Sequence, residues 1–222
     1  MAPTLLGRTN REFPSTWLTL TPPTAGPSSY DLSDTVAAAL ESKLPLDISR
    51  SPALFGGMMR GRSDTIIVQF GSRDIERATD SNHAADLVQA HLIETLSSIG
   101  REWIDIYFLA SHTVLKENQI SGALEALESA RQDGNVRYLG LFCGGDPSAT
   151  LANWHMHDAF ELFCAETDQA LQELAPMARQ RRAGVLYRGR NEGKGAQVRL
   201  VPVQSRSEIE CALHTPVLGA PA

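Results

Sequence analysis

The sequence predicts an α/β protein, a (β/α)8 TIM barrel trimmed to 222 residues. Three observations carry that expectation. Short strand-like runs alternate with helical patterns of about 10–15 residues, the signature of βαβ units and a parallel sheet. Eight such runs can be placed along the chain, the number a closed barrel of this kind needs. The run Ile104–Leu109 is apolar except for Asp105, as in a parallel strand covered on both faces.

Taken in order, Thr16–Leu20 is the first strand candidate, followed by a Pro/Gly/Ser-rich loop over Thr21–Ser29. Asp31 or Ser33 can cap a helix carrying Val36, Ala37 and Leu40. Leu44–Ser49 is a second strand. Leu54–Arg62 is a weak helix, because it holds two glycines. Thr65–Phe70 is short, β-branched and bounded by polar residues, so it reads as the third strand. In His83–Ile99, Val88, Leu92, Leu96 and Ile99 recur at helical spacing before Gly100 stops the helix. After the strand Ile104–Leu109, the residues Ile120, Ala123, Leu124, Leu127 and Ala130 mark an amphipathic helix that ends near Gly134. Arg137–Phe142 and Phe160–Cys164 are the fifth and sixth strands, and a helix runs through Leu171, Leu174, Ala175 and Ala178. Gly184–Tyr187 and Val198–Val201 are the last two strands, and Glu208–Leu213 is a closing helix. Barrels of this type usually need about 250 residues. The shortening falls between Tyr187 and Val198, where the linker RGRNEGKGAQ is too rich in glycine and charge to make the seventh helix. Its loss leaves a notch in the outer ring, open to a second copy of the chain.

Composition narrows the function. The net charge of −6 argues against a nucleic-acid partner, since phosphate contacts need clustered Lys and Arg. Cys143, Cys164 and Cys211 are far apart and form no Cys/His ladder, so a structural zinc is not expected. No apolar run reaches the length of a membrane span, and no secretory leader is visible. The expectation is one domain over residues 1–222, in the cytoplasm, acting on a small molecule.

The block Trp103-Ile-Asp-Ile-Tyr-Phe-Leu109, then Gly122-Ala-Leu-Glu-Ala-Leu127, then Gly134-Asn-Val-Arg-Tyr-Leu-Gly-Leu141 resembles the aldo-keto reductases, in which YIDLYQIH leads to ALEAL and GKVRYIGVS. Leu5–Thr9 is similar to the family's LGRTG opening, and Leu54–Arg62 to its LLGRALRGR helix end. The resemblance implies NADPH-dependent carbonyl reduction by an Asp, a Tyr, a Lys and a His. The sequence departs from that set. Asp47 matches the Asp of the DTA motif, but no Tyr follows in Ser49–Phe55. Gln69-Phe70-Gly71 stands where the Lys ends the third strand, and Ala110 stands at the His, with His112 two residues on. The nicotinamide-holding GVSN is Gly140-Leu-Phe-Cys143 here. Of the motif that grips the 2′-phosphate, Pro202 and Arg206 remain, and Ser205 and Ser207 can cap a helix facing an anion.

Barrel active sites lie at the C-terminal ends of the strands. That rule selects Asp47 and Ser49, Gln69, Arg73 and Asp74, Ser111 and His112, Phe142 and Cys143, Glu166 and Asp168, Tyr187, Arg188 and Arg190, and Gln204, Ser205 and Arg206. Asp47 and His112 are the expected acid/base pair, because His titrates nearest neutral pH. Glu166 is a second carboxylate, while Arg188 beside Tyr187 can bind a carboxylate or an enolate. His155-Met-His157-Asp158 has metal-like spacing but precedes a strand, on the face where barrels keep stability rather than chemistry, so no metal is expected. The reading is a barrel repurposed for redox-neutral acid/base chemistry (cyclisation, dehydration or isomerisation) on a carbonyl-bearing small molecule of secondary metabolism. No cofactor is expected beyond residual NADPH binding through Ser205 and Arg206. Two alternatives stand beside it: an NADPH-dependent reductase with Tyr187 or His112 as proton donor, and a non-catalytic regulatory protein that binds partners at the notch.

Overall fold

A computed structural model describes residues 3–23, 29–144, 148–149, 152–153, 159–189 and 191–214. Two short strands open the chain, β1 (Pro3–Leu5) and β2 (Glu12–Pro14), paired antiparallel. Eight more strands follow: β3 (Thr16–Leu20), β4 (Leu46–Asp47), β5 (Ile67–Phe70), β6 (Ile104–Ser111), β7 (Val136–Cys143), β8 (Leu162–Ala165), β9 (Gly184–Tyr187) and β10 (Val198–Val203). They close into an all-parallel barrel in chain order, with β10 returning to pair with β3. The helices are α1 (Ser29–Glu41), α2 (Pro52–Met59), α3 (Ser81–Ile99), α4 (Glu117–Gln132), α5 (Asp168–Gln180) and α6 (Arg206–His214).

The apolar residues divide as a barrel requires. One buried cluster joins the outward strand faces to the helices and includes Val88, Leu92, Ile120, Leu124, Leu139 and Leu171. A second fills the lumen with Val68, Ile106, Phe108, Leu162, Leu186 and Leu200. The lumen cluster also contains Leu6 and Phe13 from the opening hairpin, both essentially inaccessible. That hairpin plugs the N-terminal mouth of the barrel. The resemblance to LGRTG does not foresee a plug. Here the turn packs so tightly on β9 that a Cβ at Gly7 would lie 2.1 Å from the Gly184 nitrogen.

Local chemistry sets the helix ends. The Asp80 carboxylate accepts the His83 amide at 2.9 Å, and Gly100 ends α3 in the left-handed region at φ 62°. α2 forms despite its glycines because Gly56 lets it approach α3, where a Cβ would meet the Ser98 carbonyl at 2.5 Å. Asp105, the polar residue of the apolar strand, is 3% exposed and ties three strands at the base of the barrel. It accepts the Ile67 amide of β5 at 3.0 Å and Arg137 of β7 at 2.7 Å, and pairs with Arg101 at 3.4 Å.

Several bounds differ from the sequence reading. The second strand shortens to Leu46–Asp47, and the sixth shifts to Leu162–Ala165. β6 extends through Ser111, because Ala110 and Ser111 still pair with Phe142 and Cys143 of β7. Thr167, not Asp168, caps α5, its hydroxyl accepting the Ala170 amide at 3.1 Å. Between β9 and β10 the described residues contain no helix, so the ring is trimmed where the linker composition placed the gap.

Candidate active site

Lumen-facing residues alternate along each strand. At the C-terminal end of the barrel that alternation brings Asp47 from β4, Phe70 from β5, Ala110 from β6, Phe142 from β7, Cys164 from β8 and Arg188 after β9 around one space. Asp47 is fully buried. Its carboxylate accepts the Thr19 hydroxyl at 2.9 Å, the Ser49 amide at 3.0 Å and the Ser49 hydroxyl at 2.5 Å. Ser49 in turn accepts the Phe70 amide at 2.6 Å. Arg188 completes the set, its Nη lying 3.5 Å from the Asp47 carboxylate with the side chain only 16% exposed.

The guanidinium sits over the Phe70 ring, 4.4 Å from its centroid, and 5.7 Å from that of Phe142. A cation on aromatic faces gains from the ring quadrupole, most of all where water is excluded. Among the described residues Asp47 is the one carboxylate paired with Arg188, which leaves N–H donors for a ligand. Cys164 faces the same space, but burial pushes its thiol pKa up strongly, outweighing the help of Arg188. It stays a thiol rather than a nucleophilic thiolate.

His112 stands at the rim, edge-on to Phe142 at 6.4 Å between centroids. Its amide donates to the Glu76 carboxylate at 2.5 Å. The loop that carries it is held by the buried Asn153, which accepts the Leu115 amide at 2.7 Å and donates to the Thr113 carbonyl at 3.1 Å. The His112 Nδ1 is buried without a partner. Across the gap stands Glu166, exposed on the other side of Gly144. The His112 Nε2 and a Glu166 carboxylate oxygen lie 2.8 and 3.1 Å from the point a Gly144 Cβ would occupy. The missing side chain therefore keeps the space between imidazole and carboxylate open.

Of the seven residues given catalytic or cofactor roles, Asp47, Arg188, His112 and Glu166 thus meet at the barrel mouth. Three do not. Tyr187 faces outward, since Leu186 and Arg188 on either side of it point in. Its hydroxyl donates to Asp168 at 2.6 Å, and burial, helped by this bond, pushes its pKa up to about 12. Ser205 accepts the Glu208 amide at 3.3 Å as a helix cap. Arg206 is held by Asp34 at 2.9 Å and Glu41 at 3.3 Å. The strand-end rule selects Phe142, but the sequence reading missed the supports Thr19, Glu76 and Asn153 and the second wall, Phe70. Only Glu76 left a trace, as a polar residue shortly after a barrel strand. Arg190 and the segment His155–Asp158 lie outside the described residues, as does the side chain of Cys143.

No protein-family model matches the sequence, and neither does any curated protein. Solved structures match strongly. An aldo-keto reductase of Bacillus halodurans in its holo form shares 14% identity over 100% of this chain and 92% of that one, with a TM-score of 0.76. A thermostable aldo-keto reductase in complex with the inhibitor epalrestat shares 16% over 97% and 95%, with a TM-score of 0.71. An aldo/keto reductase of Klebsiella pneumoniae in complex with NADP and acetate shares 15% over 83% and 66%, with a TM-score of 0.64. The protein is a trimmed (β/α)8 barrel with the aldo-keto reductase fold.

Set on that fold, the inward residues at the positions of the family's Lys and His are Phe70 and Ala110. The cation near Asp47 now comes from the seventh barrel strand, as Arg188. At the position of the 2′-phosphate grip, Arg206 is neutralised by two carboxylates, and the Glu208 carboxylate accepts the Gln204 amide at 2.6 Å beside the helix N-terminus. A phosphate there meets the Glu208 carboxylate beside the helix N-terminus, and the charge of Arg206 is already answered. These residues do not fit a 2′-phosphate.

Proposed function

We propose that the protein catalyses redox-neutral proton transfer on a carbonyl-bearing small molecule at the barrel mouth, as in an isomerisation, dehydration or cyclisation. One observation carries the reading: an Asp47-anchored guanidinium and an imidazole share the face and edge of one ring, Phe142. The substrate carbonyl oxygen accepts from Arg188. The His112 Nε2 removes a proton from the carbon next to that carbonyl, and the electron pair moves onto the oxygen. Arg188 stabilises the enolate, and fixed donors of this kind are strongest where water is excluded. The proton then returns to another carbon, or to a departing hydroxide. Asp47 does not move protons here. Every bond it makes positions Arg188 or the β4 end, so it is a positioning residue. Glu166 orients the substrate or His112 from the solvent side.

Proton exchange tests this without knowledge of the product. In deuterium oxide, enolisable ketones and β-diketones should exchange their α-hydrogens faster with the protein than with buffer, without added cofactor, as followed by NMR. His112→Ala should lower that rate by about 100-fold, and Arg188→Met by about 100-fold or more. A wild-type protein that exchanges none of them but oxidises NADPH with a carbonyl substrate would overturn the proposal. That outcome favours the second reading, a reductase, which the shared fold supports. With Tyr187 turned outward, its proton donor is His112.

A further inference from the structure

A cleft on the outer wall of the barrel has its own chemistry, apart from the candidate active site. A cleft of about 270 Å³ lies between the outer faces of β3 and β10 and the helix α6. It opens where Thr16 and Arg199 begin to pair in parallel register, so both side chains rise from one face near the N-terminal ends of their strands. Two polar atoms in its wall have no partner. Thr16 is 2% exposed, and its hydroxyl oxygen bonds nothing. The Arg199 Nε is likewise buried and unpaired. A folded chain satisfies nearly all such groups, because burying one unpaired forfeits its bond to water.

The charge of Arg199 is also unanswered. The one acid in the cleft wall, Glu208, spends its carboxylate on the Gln204 amide at 2.6 Å, and no ion pair forms between it and Arg199 among the described residues. The remaining wall is apolar, from Val201, Pro202 and Ala212. A guanidinium and a hydroxyl donor at one end of an apolar slot match a carboxylate on a flat apolar body. The volume, at the small end for ligand pockets, holds one ring and its carboxylate.

We propose that this cleft binds small aryl carboxylates, the carboxylate on Arg199 and Thr16 and the ring against Val201 and Pro202. The site is independent of the barrel mouth and of the reaction proposed there.

Cys211 gives the readout, since it is exposed and lines the same cleft. Its alkylation by iodoacetamide is followed by peptide mass spectrometry, which separates it from the other cysteines, while benzoate is titrated. The expected result is saturable protection, the rate falling about tenfold when benzoate exceeds its dissociation constant about tenfold. Uncharged benzyl alcohol should not protect. Arg199→Gln should abolish the protection and Thr16→Val should weaken it, with circular dichroism checking each fold. If Arg199→Gln does not fold, Thr16→Val carries the test. An alkylation rate unmoved by benzoate up to about 50 mM would overturn the proposal, leaving water as the partner of Thr16. So would protection that persists undiminished in the folded variants.

Discussion

A strong single-residue demand is made by Asp47, a fully buried carboxylate whose cation, among the described residues, is Arg188. Removing either charge strands the other in a low-dielectric space. Arg188→Met should therefore cost about 3–5 kcal/mol of stability, while the double variant Asp47→Asn/Arg188→Met should recover part of it. Urea unfolding of both single variants and the double gives the coupling directly. His91 makes a second demand. It is largely buried behind β6, with its Nδ1 2.8 Å from the Tyr107 hydroxyl, and burial lowers its pKa. The unfolded chain therefore binds a proton more readily than the folded one. Stability should be level above the ordinary histidine value of about 6.5 and fall as pH drops below it. Replacing His91 by Asn should flatten that fall, read from unfolding midpoints at a series of pH values.

Among elements, the linker after β9 does the work of a missing helix with very few contacts. Asp168, at the start of α5, accepts both the Tyr187 hydroxyl at 2.6 Å and the Asn191 amide at 2.7 Å. These bonds hold its pKa below the usual carboxylate range. The loop then folds over Tyr187, close enough that a Cβ at Gly193 would lie 2.4 Å from the ring. Asp168→Ala removes both anchors. Trypsin should then cut at the exposed Lys194 several-fold faster than in the parent, while cutting elsewhere stays unchanged. Equal rates would mean that the glycine packing alone holds the loop.

For the molecule as a whole, the opening hairpin fills the N-terminal end of the barrel lumen. Leu6 and Phe13 join the lumen cluster with Trp17, and the Phe13 ring packs 5.5 Å from Trp17 and 6.3 Å from Tyr138. Phe13→Ala should cost about 3–5 kcal/mol, measured by urea unfolding, because the rigid strands around it cannot collapse into the hole. With its lower mouth closed, the barrel opens to substrate at the end where Arg188 and His112 stand. Among the described residues no helix is long and apolar enough to cross a membrane.

Period, apolar content and glycine placement in the sequence were enough for the barrel class and the place of the trimming. The sequence also determined which loops follow strand ends, and so selected Asp47, His112, Glu166 and Arg188. Its best-matching block turned out to be scaffold: Asp105 and Arg137 tie strands together and touch no substrate space. Direction was left to the tertiary structure. Adjacent residues on a strand point oppositely, so one position separates Arg188 in the lumen from Tyr187 against Asp168. Likewise, only folding brings Asp34 and Glu41 onto Arg206, across more than 160 residues of sequence. Composition records that a charge exists, but its partner is fixed by packing between distant elements.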